Sequence, residues 1–243
     1  MLEEEIRLLI KDIADKKDGR LSPIFNINIY EKDIVLNNEL RIKYEQFIKE
    51  QIFTHLQNIS DSNFTGDVKG MGSIHNESTF QYLIQEIEKA VSEYLKSFSK
   101  LTQKLQMYHQ KSWPVILKKG GTVGSHHHAN AHLSAVYYLN VPKGEGGDLI
   151  FYSPIDLNLP SLSTGVDFFH AKTYIHAIKP YSGLLVIFPS VLKHEVTKYE
   201  GHEPRLSLSF DFVLTASEEA GSGEIENLAP SINLWRPFEK NEE

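Results

Sequence analysis

The stretch Arg205-Leu206-Ser207-Leu208-Ser209-Phe210-Asp211-Phe212 alternates strictly between polar and apolar residues. A period of two marks a β-strand, because successive side chains point to opposite faces of a sheet. Leu206, Leu208, Phe210 and Phe212 therefore form one face, and Arg205, Ser207, Ser209 and Asp211 the other. The apolar face belongs against a core. The polar face carries a guanidinium and hydroxyls, groups that hold a carboxylate through charge-assisted hydrogen bonds. In isolation an edge strand with a wet face reads the same way, so the neighbouring sequence has to decide.

Eleven residues upstream stands His194, which follows the apolar run Leu184-Leu185-Val186-Ile187-Phe188-Pro189. Short β-branched or aromatic runs separated by Gly and Pro fill the second half of the chain from Leu105 onward. They predict strands over Leu133–Val141, Asp148–Tyr152, Thr173–Ile178, Leu184–Phe188 and Arg205–Leu214. The first half reads differently. Leu2, Ile6, Leu9, Ile10 and Ile13 recur at helical spacing, as do Leu36, Leu40, Tyr44, Phe47, Ile48, Ile52 and Leu56. Ser78-Thr79-Phe80-Gln81 has the form of a capping box opening a helix whose apolar face is Phe80, Leu83, Ile84, Ile87, Val91, Tyr94 and Leu95. Pro23 to Tyr30 alternates like a strand, and the polar stretch from Asn58 to Asn76 reads as loop. Helices followed by many short strands predict an α+β domain whose sheets form a sandwich or barrel. Ile155 to Ala171, rich in Leu, Ser and Pro, is a long connection of the kind that forms binding loops or lids. The end of the chain reads as a solvated tail in which Leu234-Trp235 is an apolar pair able to dock.

The eleven histidines are spread unevenly, with His126, His127, His128 and His132 together and His194 at the end of the apolar run. On a strand, His126 and His128 point to the same face and can bind one metal, with His127 on the other face. Two close imidazoles and one distant ligand leave about three open positions on an octahedral iron, enough for O₂ and a chelating co-substrate. A His-rich turn is also often merely solvated, and Gly124-Ser125-His126-His127-His128 resembles a purification-tag scar. It lies mid-chain and runs straight into an apolar strand, so it is read as native.

Composition limits the alternatives. The 243 residues carry a net charge of −7, with 41% hydrophobic and 23% charged residues, as in an ordinary globular protein. An acidic chain without a long basic run repels a phosphate backbone, so nucleic acid is not an expected partner. There is no Cys. Disulfides, thiolate catalysis and Cys-held zinc or iron–sulfur sites are therefore excluded, and any metal must sit on His and carboxylate. The acidic start Met1-Leu2-Glu3-Glu4-Glu5 shows no signal peptide, and no apolar run approaches the roughly 18 residues of a membrane span. A cytoplasmic location and no membrane association are expected.

Taken together, Trp113, His126-His127-His128, Leu133 to Asn140, Gly146-Gly147-Asp148-Leu149-Ile150-Phe151, Phe188-Pro189-Ser190, His194-Glu195-Val196 and Arg205 to Phe210 resemble one superfamily. It is that of the 2-oxoglutarate/Fe(II) oxygenases, in its prolyl-hydroxylase-like branch, and within that a bacterial and phage group of unassigned substrate. The resemblance spans about residues 105 to 215. It implies a double-stranded β-helix (jelly-roll) core over 105–215, a helical layer with one or two strands over 1–104, and a tail over 216–243, in a single domain. It also implies Fe(II), 2-oxoglutarate and O₂, and hydroxylation of a small-molecule or peptidyl substrate. His126 matches the first ligand of the family's His-x-Asp/Glu motif and His194 the distal His. Arg205 matches the Arg that pairs with the far carboxylate of 2-oxoglutarate, with Ser207 and Tyr138 as its helpers. The departure is His128, which stands where the superfamily has Asp or Glu. As the third ligand it leaves the centre one unit more positive, and Asp148 or Glu195 are the other candidates for that place. Trp113 and the 155–171 loop are candidate pocket walls.

A cupin-type dioxygenase or isomerase that needs no 2-oxoglutarate is the principal rival. Cupins also begin with His-x-His, and Gly183, Pro189 and His194 keep the spacing of a second cupin motif. They place a Glu about four residues after the second His, however, where this chain has His132. They also have no use for Arg205 and Ser207. A non-catalytic jelly roll that binds metal or a small ligand is the third reading, since one fold hosts many functions. The primary substrate is not written in the sequence, and the oligomeric state is left open, a homodimer included.

Overall fold

In a computed structural model of the chain, residues 20–24, 27–55, 63–98, 104–142, 146–154, 175–218 and 228–237 are described. Eleven strands run in chain order: β1 (Arg20–Ile24), β2 (Ile27–Asp33), β3 (Asn63–Thr65), β4 (Leu105–Leu117), β5 (Val123–His126), β6 (Leu133–Asn140), β7 (Leu149–Tyr152), β8 (Ile175–Ile178), β9 (Leu184–Pro189), β10 (His194–Val196) and β11 (Arg205–Ala216). Two helices accompany them, α1 (Asn38–His55) and α2 (Gln81–Lys96). The strands form a seven-stranded sheet in the order β1-β2-β9-β6-β11-β4-β3 and a four-stranded sheet in the order β5-β10-β7-β8. Every pairing between named strands is antiparallel.

The alternation of β11 divides the molecule into layers. Its apolar face, Leu206, Leu208, Phe210 and Phe212, shares a core with Tyr44 and Ile48 of α1 and with Leu83, Ile84, Ile87 and Val91 of α2. Tyr137 of β6 and Ile187 of β9 extend this core across the sheet. The helices thus cover the outer face of the larger sheet. A second core lies between the sheets, where Tyr138, Leu184, Val186 and Phe188 meet Leu149, Phe151 and Ile178. Strands β6 and β9 are apolar on both faces because each face has its own layer to fill. Each such Leu, Ile or Phe contributes about 1.5–3 kcal/mol on full burial. Polar bonds fix the docking of α2: Tyr30 Oη and Lys32 Nζ both reach Glu93 at 2.8 Å, and Tyr94 Oη donates to Asn28 O.

The helix expected from Leu36 forms as α1, and the second helix buries the face expected of it, with Leu95 at its margin. Its start differs. Ser78–Phe80 folds as a 3-10 turn that leads into α2, Phe80 is the N-cap, and no side chain caps the helix. The buried Phe80, packed on Tyr44 and Phe47, anchors the entry in place of a capping box. The alternating run from Pro23 is two strands rather than one, β1 folding back on β2. The stretch expected to be loop from Asn58 to Asn76 contributes β3, which pairs with β4. Three strands from before residue 105 therefore enter the larger sheet, where one or two were expected. Leu234 and Trp235, the pair able to dock, are 75% and 50% exposed among the described residues. The expected helix over Leu2–Ile13 and the 155–171 connection lie outside the described residues.

Candidate active site

The polar face of β11 opens on the space between the two sheets, and the four-stranded sheet brings histidines to it. In the pairing of β10 with β5, His194 stands directly opposite His126. Residues so opposed have their Cβ atoms about 5 Å apart on one face. Strand β5 ends at His126, so the period-two argument does not carry to His128, which lies in the following loop. That loop is fastened at both ends: His128 N donates to Ser190 O, Ser190 N to His132 O, and His132 N to Phe212 O. His127 is exposed. The result is a cluster in which one ligand atom each from His126, His128 and His194 lies within 4.8 Å of the others.

The hydrogen bonds select which nitrogen each ring can offer. His126 Nδ1 meets Gly124 O at 2.8 Å, and His194 Nδ1 meets Leu192 O at 2.8 Å. A carbonyl only accepts, so both Nδ1 atoms carry the proton and both Nε2 lone pairs are left free. His128 Nδ1 lies 2.6 Å from Asp211 Oδ1, and the same oxygen accepts from Ser134 Oγ at 2.7 Å. Three imidazoles with Nδ1 tied back and Nε2 free are the donor set of a metal site. His194 is 4% exposed and packs on Phe188 and Phe151. Burial first, then the neighbouring His126 and His128, push its pKa down to about 3. The ring is neutral and ligand-competent throughout the physiological range. Asp148 and Glu195, the other candidates for the third ligand, fall outside this cluster. Asp148 faces the Arg205 charge and Glu195 bonds Tyr152.

Because the unfolded chain binds a proton at His194 near pH 6.5 and the folded chain only near 3, unfolding takes up that proton between these values. Stability of the metal-free protein is expected to fall as pH drops from about 6.5 towards 3, by up to about 1.4 kcal/mol per unit. Chemical denaturation at pH 7, 6, 5 and 4 measures it. A flat profile in this window, or one unaltered in His194→Phe, removes the assignment.

Arg205 is 1% exposed and has no salt bridge among the described residues. One Nη donates to Gly147 O, the guanidinium carbon lies 5.3 Å from the Tyr138 ring centroid, and Nε has no partner. Tyr138 Oη is likewise buried without a partner. Burial draws the pKa of Arg205 below its ordinary range. A buried cation without a salt bridge costs several kcal/mol, of which the Asp148 charge offsets only a part, and an anion brought in beside it removes the rest. Glycine is required at the edge of this nest. Gly147 has φ +73°, and a Cβ there would lie 3.0 Å from Arg205 Nη1. Gly146 has φ +78°, and its Cβ would lie 1.9 Å from Lys198 O.

Histidines and arginine share one cavity of about 520 Å³, whose walls also include Tyr138, Ser207, Ser209 and Trp113. His126, His128, His194, Arg205, Ser207, Tyr138 and Trp113 are therefore brought together, whereas Asp148 and Glu195 do not line the cavity and the 155–171 loop lies outside the described residues. Its mouth carries Lys111, bonded to Asp67 at 3.0 Å and stacked over Trp113. Sequence reasoning did not assign roles to Ser134 and Ser190, and placed Asp211 only on the polar face of its strand. Nothing local marks these residues; the register that sets Ser134 opposite Asp211 is a tertiary fact.

Comparison with known proteins agrees with this geometry. The family described as "Putative 2OG-Fe(II) oxygenase" matches residues 111–211, the span from the mouth lysine to Asp211. Over residues 111–211, somewhat less than half of its length, the chain is similar to that family. No curated protein matches the chain. Among solved structures, the non-heme alpha ketoglutarate dependent epimerase SnoN from nogalamycin biosynthesis superposes with a TM-score of 0.52 at 14% identity, covering 92% of this chain and 95% of that one. The same epimerase in complex with Fe3+, alpha ketoglutarate and nogalamycin RO gives 0.51 at 13% identity over 92% and 96%. A prolyl-4-hydroxylase from Pseudomonas putida gives 0.49 at 16% identity over 85% and 97%. At these identities the two superpositions on the epimerase speak for the fold alone.

Proposed function

We propose that the protein is a non-haem Fe(II)- and 2-oxoglutarate-dependent dioxygenase that hydroxylates a small-molecule or peptidyl substrate, and that its two facing sheets are the double-stranded β-helix (jelly roll) of that family. The observation that carries this reading is one cavity holding two complementary receptors: three free Nε2 atoms on one wall and a buried, unpaired guanidinium on another. A 2-oxo diacid needs both, a metal for its oxo-acid end and a cation for its far carboxylate. The donor set fits ferrous iron. Imidazole suits iron, and three ligands leave the positions that a chelating co-substrate and O₂ occupy. Iron with 2-oxoglutarate and O₂ supplies the oxidant that inserts oxygen into a substrate C–H bond.

The chain's own residues supply binding, orientation and exclusion of water. His126, His128 and His194 hold the metal, each fixed by the acceptor behind its Nδ1. Arg205 and Tyr138 present a charge-assisted donor and a hydroxyl to the far carboxylate, with Ser207 beside them on the same face of β11. Burial of that corner strengthens each bond, since few competing waters reach it. Trp113 and the Lys111–Asp67 pair flank the mouth through which the primary substrate enters. Among the described residues no helix is long and apolar enough to cross a membrane. His132, where a cupin would place a glutamate, accepts from Leu214 N outside the cluster, so nothing in the site favours the cupin reading.

The decisive experiment is anaerobic. Apo protein is loaded with Fe(II) and titrated with 2-oxoglutarate while the visible spectrum is recorded. Chelation of a 2-oxo acid to ferrous iron is expected to give a weak band near about 500 nm. Iron binding without the band rejects 2-oxoglutarate as co-substrate, and failure to bind iron rejects the metal centre itself.

A further inference from the structure

The three imidazoles are not held alike. His126 and His194 each lean on a main-chain carbonyl, whereas His128 leans on a carboxylate. Asp211 has no Lys or Arg partner among the described residues; it accepts a hydrogen bond from His128 Nδ1, at 2.6 Å. It is 6% exposed and accepts a second bond, from Ser134 Oγ. Ser134 has one proton and gives it to Asp211, so the 2.9 Å contact to Ser190 Oγ is a bond donated by Ser190. Ser190 follows β9, Ser134 lies on β6 and Asp211 on β11. Residues placed by three strands of the larger sheet thus converge on one loop histidine.

We propose that Asp211 is the positioning residue of the metal centre: acting through His128, it fixes that ring with Nε2 towards its two companions and returns to the centre the negative charge that an all-imidazole ligand set lacks. The inference rests on the metal-centre reading above. Three neutral ligands leave a divalent ion's charge unopposed at the first contact. A carboxylate hydrogen-bonded to Nδ1 makes the ring a more basic donor, and such outer partners change metal affinity by 10- to 100-fold. The arrangement also explains why the anion sits there at all. A carboxylate buried beside hydroxyls with no basic side chain is costly in the empty protein, and its cost is recovered when a cation binds on the far side of the imidazole. Ser134 holds the carboxylate and is itself held by Ser190, so both belong to the same device.

The test uses the full chain and Co(II) alone as the probe. Calorimetric titration gives the affinity, and far-UV circular dichroism with thermal unfolding of the metal-free forms establishes that each variant is folded. Asp211→Asn, which keeps the shape and one acceptor oxygen, is expected to raise the Co(II) Kd about 10- to 100-fold while the metal-free melting temperature stays near wild type. Ser134→Ala, which leaves the carboxylate in place but frees it to turn, is expected to show a smaller increase in the same direction, and it carries the test if the Asp211 variants do not fold. The Co(II) form gives a second readout that a merely structural role would not move. Its paramagnetically shifted proton spectrum in water should contain one exchangeable signal for each Nδ1–H, three in wild type. One of the three should shift in Asp211→Asn and be lost to solvent exchange in Asp211→Ala. Folded Asp211 variants that bind Co(II) within about twofold of wild type, or that leave all three signals unmoved, overturn the proposal. Wild-type protein that binds no Co(II) overturns the metal-centre reading, and this inference with it; weakening confined to the variants separates the two.

Discussion

His194→Ala is expected to abolish iron binding and, with it, every turnover, while leaving a folded protein that resists acid better than wild type. Changes behind a ligand cost 10- to 100-fold in metal affinity, so removal of the ligand itself should exceed about 100-fold. The two remaining imidazoles cannot compensate, because no other His, Asp or Glu among the described residues joins the cluster. In the metal-free state His194 stabilises by packing at neutral pH but loses that worth as the pH falls. Its ring is buried between Phe151 and Phe188 and stays neutral down to about pH 3, so acid unfolding must supply it with a proton. Deleting the ring removes that proton uptake and also leaves a cavity, costing about 2–4 kcal/mol at neutral pH by analogy with other large-to-small changes. The stability difference between variant and wild type should therefore shrink as pH falls below about 6.5. Equilibrium dialysis against Fe(II), with denaturation at several pH values and the exposed His202→Ala as control, measures both effects. Retention of stoichiometric iron by the variant would remove His194 from the ligand set.

How much of this was legible in the sequence depends on the range over which each feature is decided. The faces of β11 were, because alternation is local and this strand has a core on one face and a polar cavity on the other. The helices were, for the same reason at a period of 3.6. Strand β4 was not, although it is the longest and pairs along most of β11. Its Gln and Lys residues line the cavity or face solvent, His109 packs against His75 and Phe212, and Trp113-Pro114 interrupts the pattern. Short strands β5 and β10 carry almost no signal of their own, yet their pairing is what sets His126 against His194. The histidine cluster was found through residue type and order. The role of Asp211 was out of reach, because a strand pattern says which way a carboxylate points and only the fold says what lies there. The capping box failed for a similar reason: Phe80 had a better place to go than its own helix surface.

Removal of the guanidinium should separate co-substrate binding from folding. Arg205 is a buried cation without a salt bridge among the described residues, so the ligand-free protein bears its desolvation. Arg205→Met, similar in length and apolar, is expected to leave the ligand-free protein as stable as wild type or more so, since replacing buried charge by packed hydrocarbon is commonly neutral or stabilising by about 1–4 kcal/mol. The same change should cost about 2–4 kcal/mol of 2-oxoglutarate affinity, roughly 30- to 700-fold in Kd, because the far carboxylate would then be buried without a counter-charge. Metal binding should be unaltered, as Arg205 takes no part in the imidazole network. Tyr138→Phe removes one uncharged hydroxyl and should cost only about 1 kcal/mol, about fivefold. The readout is thermal unfolding of the Mn(II) form with and without 2-oxoglutarate. Wild type at 100 times Kd gains about 2.7 kcal/mol, and Arg205→Met at the same concentration should gain only about 0.1–0.9 kcal/mol. Stabilisation of both proteins by the same amount would place the carboxylate elsewhere in the cavity. The buried guanidinium would then have to be explained by the fold alone, and the absence of a salt-bridge partner for it among the described residues makes that explanation the weaker one.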